Sequence, residues 1–288
     1  MQLDHTRLAI RERTLLELLD FGLRVVRAYF QPIVTAAALP MAALMLLNWW
    51  LVGWIASDEY TPATIARYQW VMAQLVYVEA PFGTSLVTLL LGGSTFRHEQ
   101  SVRQLLGTFA ALFPRIVISQ LLLRGVLLAW ILAYWISPDE DFSAAEFLLP
   151  LLCTALLLLR SLRPYLNEIV LLERNPYRSG SKLVASIGGR SRALHAPNSG
   201  DLFARAVAIV PASLLLTACL FTSIWFTIGT FTNDWSWTPL LVHLVLPACY
   251  WMVAIYLAVV RFLTYLDLRI RREGWEVELQ MKAEAARL

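Results

Sequence analysis

Long apolar runs separated by short polar segments dominate the pattern of this chain. Crossing a hydrocarbon core about 30 Å thick takes about 20 apolar residues, and the runs predict six such helices over 33–56, 68–94, 113–136, 146–171, 204–231 and 238–260. An even number of spans puts both termini on one side. With that assignment all of the 24 Lys and Arg residues except Arg67 and Arg124 fall on the same side. The positive-inside rule makes that side the cytoplasm, and the chain is expected in a bacterial inner (plasma) membrane. The opposite loops, 57–67, 137–145 and 232–237, are short and acidic, with Asp58, Glu59, Asp139, Glu140, Asp141 and Asp234. Trp49, Trp50, Trp54, Trp70, Trp130, Trp135, Trp235 and Trp237 gather near those loops, at the headgroup level that the amphipathic indole prefers.

A helical period appears outside the spans as well. Residues 13–30 place Arg13, Glu17, Asp20, Arg24 and Arg27 on one stripe, with Leu15, Leu18, Leu19, Gly22, Val26, Tyr29 and Phe30 opposite, the pattern of an interfacial amphipathic helix. The device recurs over 101–113, where Val102, Leu105, Leu106, Phe109, Leu112 and Phe113 face one way ahead of Pro114. A weaker copy covers 182–194, where Gly188 and Gly189 lower helix propensity. Each copy precedes two spans, which gives three units of about 85–90 residues. The expected fold is therefore all-α: a polytopic membrane protein with six transmembrane helices in three repeats of amphipathic surface helix plus hairpin, and a cytoplasmic C-terminal helix. Its divisions are a cytoplasmic amphipathic helix over 1–31, a membrane domain over 32–260 with cytoplasmic loops 97–112 and 173–203, and the C-terminal helix over 261–288.

Composition excludes most other classes. The chain is 58% hydrophobic and 16% charged, against roughly 45–50% and about 25% in soluble domains, and its mean hydropathy is +0.58. Soluble enzymes, disordered chains and secreted scaffolds are not built this way. Cys153, Cys219 and Cys249 lie within apolar runs, where a thiol behaves as a small hydrophobe. His5, His98, His195 and His243 show no metal-ligand spacing, so neither metal nor cofactor is expected. A net charge of +3 is too small to argue for nucleic acid. No cleavable apolar segment opens the first 30 residues, so the first span is expected to act as the insertion signal. Gly-Ser-Lys at 180–182 lacks the upstream glycine of a P-loop, and there is no nucleophile elbow or Cys/His dyad.

Three segments carry a family resemblance: Leu-Leu-Glu-Leu-Leu-Asp-Phe-Gly-Leu-Arg-Val-Val-Arg-Ala-Tyr-Phe at 15–30, Leu-Leu-Glu-Arg at 171–174 before a basic loop with Arg-Ser-Arg at 190–192, and Tyr-Leu-Asp-Leu-Arg-Ile-Arg-Arg-Glu-Gly-Trp-Glu-Val-Glu-Leu at 265–279. Together they resemble bacterial six-span proteins similar to the membrane domain attached to some glycerophosphodiester phosphodiesterases. The resemblance implies the fold and hardly any function. The hydrolase would need a soluble catalytic barrel with His and carboxylate metal ligands, which this chain does not offer.

Charges within the spans are the candidates for chemistry. Glu79 lies about 13 Å along the helix from Trp70, and Arg124 about 13 Å from Arg115, so both fall near mid-membrane. An unpaired charge there costs at least ~2.5–3.5 kcal/mol, so the two are expected to face the interior and pair. Such a pair either locks adjacent hairpins or marks a site for an anionic headgroup, solute or proton. Arg160, Arg163 and Glu168 surround Pro164 in the fourth span and suit either headgroup anchoring or phosphate binding. Asp267, Arg269, Arg271 and Arg272 are expected on a helical face turned to solvent, to protein partners or to anionic lipid. The favoured function is a non-enzymatic membrane subunit that organises membrane or cytoplasmic proteins, or lipid, at the cytoplasmic face. The alternative is a carrier for a small anionic solute or lipid, working through the intramembrane charges.

Overall fold

The computed structural model describes residues 14–57, 60–95, 101–122, 150, 153, 156–157, 160–177 and 186–273. Among them every regular element is helical: α1 (Leu15–Ala28), α2 (Phe30–Val52), α3 (Pro62–Gly83), α4 (Ser85–Thr95), α5 (Val102–Val117), the short α6 (Leu166–Glu168), α7 (Ile187–His195), α8 (Ser199–Thr232) and α9 (Leu246–Glu273). Five helical stretches, Phe30–Ala56, Pro62–Thr95, Val102–Gln120, Ile187–Thr232 and Leu241–Ile270, are long and apolar enough to cross a membrane. Residues 123–136 of the expected third span, with Arg124, Trp130 and Trp135, and parts of the first half of the fourth lie outside the described residues.

The surface is that of a protein solvated by hydrocarbon. In the most apolar part of α8 only 11% of residues are buried, and Leu46, Trp50, Trp70, Leu215, Phe226 and Phe231 are exposed. Apolar exposure on this scale is rare in water. At 34 residues α8 is about 51 Å long, more than a hydrocarbon core needs. It stops at Asn233, which takes the left-handed conformation (φ 53°) that asparagine tolerates as a helix cap. The chain then turns back, and a Cβ at Gly229 would lie 2.7 Å from the Trp235 ring, so that helix face must be bare.

The core forms around α9. Leu18, Gly22 and Val25 of α1 are buried, and α9 lies over that face, with Tyr256 donating its hydroxyl to the Leu19 oxygen at 2.9 Å. Of the apolar stripe expected to rest on the membrane surface, Leu18 and Gly22 are buried by protein, Leu15, Leu19, Val26 and Tyr29 are half-buried, and Phe30 is exposed. Helix α1 starts at a capping box: the Glu17 amide donates to Thr14 Oγ1 and the Thr14 amide donates to Glu17 Oε2. Ser101 and Gln104 form the same box at the start of α5, which continues through Pro114 into a π turn at Ile118–Leu122. Where a weaker third copy is expected over 182–194, residues 182–185 lie outside the described residues and α7 is a nine-residue polar helix capped by Ser186.

Candidate functional site

A polar seam runs through the apolar bundle, and it begins where proline interrupts α3. A proline has no N–H, so Pro81 cannot donate to the carbonyl of Tyr77 one turn earlier. The Arg160 guanidinium takes that place. Its Nη1 donates to the Tyr77 oxygen and its Nη2 to the Val78 oxygen at 3.0 Å, while the guanidinium carbon sits 4.5 Å from the Tyr77 ring centroid. The break between α3 and α4 is braced in the same way. Thr84 Oγ1 donates to the Ala80 oxygen at 2.7 Å, and Ser85 Oγ and Asn167 Nδ2 both donate to the Pro81 oxygen, at 2.5 and 3.1 Å. Irregular backbone persists at membrane depth only where protein groups satisfy it, as they do here.

Beside this break lies a cavity of about 470 Å³ between α3, α8, α9 and the segment around Arg160. Its polar lining includes Gln74, Arg160, Arg205 and Arg261, and no Asp or Glu among the described residues lines it. Arg205 is paired with Asp201 at 2.9 Å. Arg261 Nε donates to Glu168 Oε1 at 2.5 Å, and Glu168 is fully buried. No carboxylate lies within ion-pair distance of Arg160 among the described residues, and its charge and that of Arg261 repel one another. Several buried polar atoms of the lining residues have no hydrogen-bond partner among the described residues: both amide atoms of Gln74, Arg160 Nε, Arg261 Nη2 and Gln120 Oε1. Such atoms in a low-dielectric interior are costly without a hydrogen-bond partner.

A second cluster lies at the Glu173 end of the π turn Ile169–Glu173. Arg190 grips Glu173 with two nitrogens, Nε to Oε2 at 2.6 Å and Nη2 to Oε1 at 2.9 Å. Tyr265 donates its hydroxyl to Oε1 at 2.7 Å, Asn175 Nδ2 donates to Oε2 at 3.1 Å, and Arg269 Nε lies 3.7 Å from Oε1. Burial would raise the Glu173 carboxyl, but the hydrogen bonds from Arg190 and Tyr265 and the charges of Arg269 and Arg190 bring it below its ordinary value. The hub ties α7 and α9 to the end of the π turn.

The expected site residues divide accordingly. Glu79 is half-buried and accepts from Asn48 Nδ2 at 2.9 Å; Arg124, its expected partner, lies outside the described residues. Arg160 and Glu168 belong to the seam, whereas Arg163 is exposed. Asp267 is buried, 3% exposed, and Arg269 turns to Glu173 and Tyr265 instead of solvent. Arg271 and Arg272 continue the backbone of α9. His243 packs between rings, its centroid 5.1 Å from that of Tyr68, with Nε2 3.1 Å from the Ala56 oxygen. Sequence reading passed over Gln74, Glu173, Arg190, Arg261 and Tyr265. Gln74 carried a signal, being an amide inside an apolar run. No group of three or more His, Cys, Asp or Glu able to hold a metal occurs among the described residues. Comparison with protein-family models, curated proteins and solved structures gives no match.

Proposed function

We propose that this chain is a six-span protein of the bacterial inner membrane, with both termini cytoplasmic, that binds an anionic solute or lipid in the cavity beside Arg160 and carries it. The single observation behind this reading is the lining: among the described residues three arginines and no carboxylate line one cavity, and while Arg205 and Arg261 are paired with Asp201 and Glu168, Arg160 is held there by main-chain oxygens and an aromatic ring. A low-dielectric wall strengthens the attraction of such a site for an anion. Pockets of roughly 300–1,000 Å³ suit small ligands, and this cavity falls in that range. The π turns at Ile118–Leu122 and Ile169–Glu173 flank the seam, and π bulges recur at functional sites.

A role as an organising subunit through the end of α9 draws less support, because Asp267 and Arg269 turn inward there. The three-unit architecture and the likeness to phosphodiesterase membrane domains belong to the same proposal. Their support is the pair of capped amphipathic helices, α1 and α5, the first leading directly into the apolar α2 and the second into the π turn Ile118–Leu122.

The test is purification in nanodiscs from the host membrane, followed by mass spectrometry of everything retained. A specific anion or anionic lipid is expected with the native chain and absent from Arg160→Gln. Identical retention by both would overturn the binding reading.

A further inference from the structure

Resting on the proposal that the cavity binds an anion, we infer that its occupant is a phosphate-headed lipid, with the phosphate held by Gln74, Arg160 and Arg261 and the alkyl chain lying along the apolar wall. Two independent features of the cavity lead to this ligand class.

The first is the donor set. Gln74 Nε2, Arg160 Nε and Arg261 Nη2 are buried nitrogens on three different elements, all on residues that line the cavity, and none has a partner among the described residues. Each guanidinium is partly engaged, Arg160 with main-chain oxygens and Arg261 with Glu168, so Arg160 Nε and Arg261 Nη2 each offer a single charge-assisted hydrogen bond to a ligand. A phosphate monoester offers three terminal oxygens to three donors. A carboxylate can also accept several hydrogen bonds, but it presents two oxygens in one plane with a single charge, whereas the phosphate spreads three oxygens tetrahedrally with up to two charges, the better match to two cations and an amide on separate elements.

The second is shape. The cavity follows α9 from Tyr250 to Thr264, about 21 Å at 1.5 Å per residue. Arg205 and Arg261 lie toward one end of that length. Away from them the wall is largely apolar, with Leu214, Val253 and Leu257, and the Ser213 and Thr217 hydroxyls there donate to their own helix; Leu157 and Ile209 also line the space. A free inorganic anion would use only the polar end and leave the rest of the length empty of contacts. An amphiphile fills both parts, its charge at the arginines and its chain in the apolar stretch.

The full chain in nanodiscs of zwitterionic lipid, titrated separately with a single-chain lysophosphatidate, a fatty acid of the same chain length and inorganic phosphate, tests this by native mass spectrometry and thermal protection. Lysophosphatidate is expected to bind and protect. Gln74→Leu and Arg160→Lys, each checked for a monodisperse fold, should weaken it by about ten- to a hundredfold, the range for one charge-assisted hydrogen bond. Fatty acid binding equally well would overturn the phosphate assignment. Inorganic phosphate binding equally well would overturn the lipid assignment. Both of those outcomes leave the anion cavity standing, whereas failure of all three probes would overturn the underlying reading too. Unchanged lysophosphatidate affinity in both variants would remove these side chains from the site.

Discussion

Arg160 donates to the main-chain oxygen of Tyr77, the carbonyl that Pro81 leaves without a helical N–H. A kink and a buried cation thus answer each other: the broken helix exposes an acceptor and the arginine finds one. This relationship predicts coupling. In Pro81→Ala the new amide can bond to Tyr77, so Arg160→Leu should destabilise that background less than the native one. The difference should be about 1–2 kcal/mol, the worth of one hydrogen bond to a charged group. Thermal unfolding of the four proteins in one detergent measures it. Equal costs in the two backgrounds would refute the coupling.

The buried pair Glu168–Arg261 yields a second cycle. Removing one partner strands a charge in the interior, and Glu168→Gln or Arg261→Gln alone should cost about 3–5 kcal/mol. Arg261 is partly exposed, its side chain 24% accessible, so its own truncation belongs at the upper end: it leaves the fully buried Glu168 alone. Glu168→Gln with Arg261→Gln replaces both charges by amides that can still hydrogen-bond, and should recover most of the loss. Additive losses in the double variant would show that the two do not act as a pair.

How much of this was legible depends on what the pattern of residues encodes. Long apolar runs read out directly as helices, because hydrocarbon tolerates little else. The caps at Thr14 and Ser101 follow local spacing and were visible as the starts of amphipathic stripes. Partner choice was not visible. Asp267 and Arg269 sit in a charge-rich run that reads as a solvated face, yet α9 continues as one helix past Arg261 and its residues Phe262, Leu263, Tyr265 and Leu266 are buried. Only tertiary packing brings Glu173 and Arg190 from a supposed loop to meet them. Similarly, the sequence marks Glu79 as a charge at depth but cannot indicate that Asn48, from the preceding helix, donates to it.

The seat of α1 on α9 is narrow at Gly22, where an added Cβ would meet Val260 Cγ2 at 2.8 Å and Tyr256 Cε2 at 3.4 Å. Gly22→Ala sets its Cβ against the buried, branched Val260, so α1 and α9 must move apart by a few tenths of an ångström, and the gain in helix propensity offsets enough of that cost to keep the net change below about 1 kcal/mol. Gly22→Leu has no such escape, and overpacking should cost about 1–3 kcal/mol. Limited proteolysis reads the consequence: cleavage within 14–28 should quicken in Gly22→Leu and stay at the native rate in Gly22→Ala. A native rate in both variants would mean that α1 is not held by this contact.

The Glu173 hub predicts a pH dependence whose sign follows from its depressed carboxyl. A group with a folded pKa below its unfolded one contributes stability above the unfolded value, and that contribution disappears as pH falls through the folded value. The ordinary value is 4.5, so the hub should be fully effective near pH 7, begin to weaken around 4.5 and fail only below that. Glu173→Gln keeps the shape and some hydrogen bonds but removes the charge. Its unfolding temperature should lie below the native one near pH 7, and the gap should close in strong acid, where the native carboxyl is protonated as well. The Glu173 charge lies within ion-pair distance of both Arg190 and Arg269, so its loss leaves the repulsion between these two cations less offset, and moderate salt should raise the variant's stability near pH 7 more than the native protein's. A gap that stays constant down to about pH 3 would mean that Glu173 contributes through packing alone.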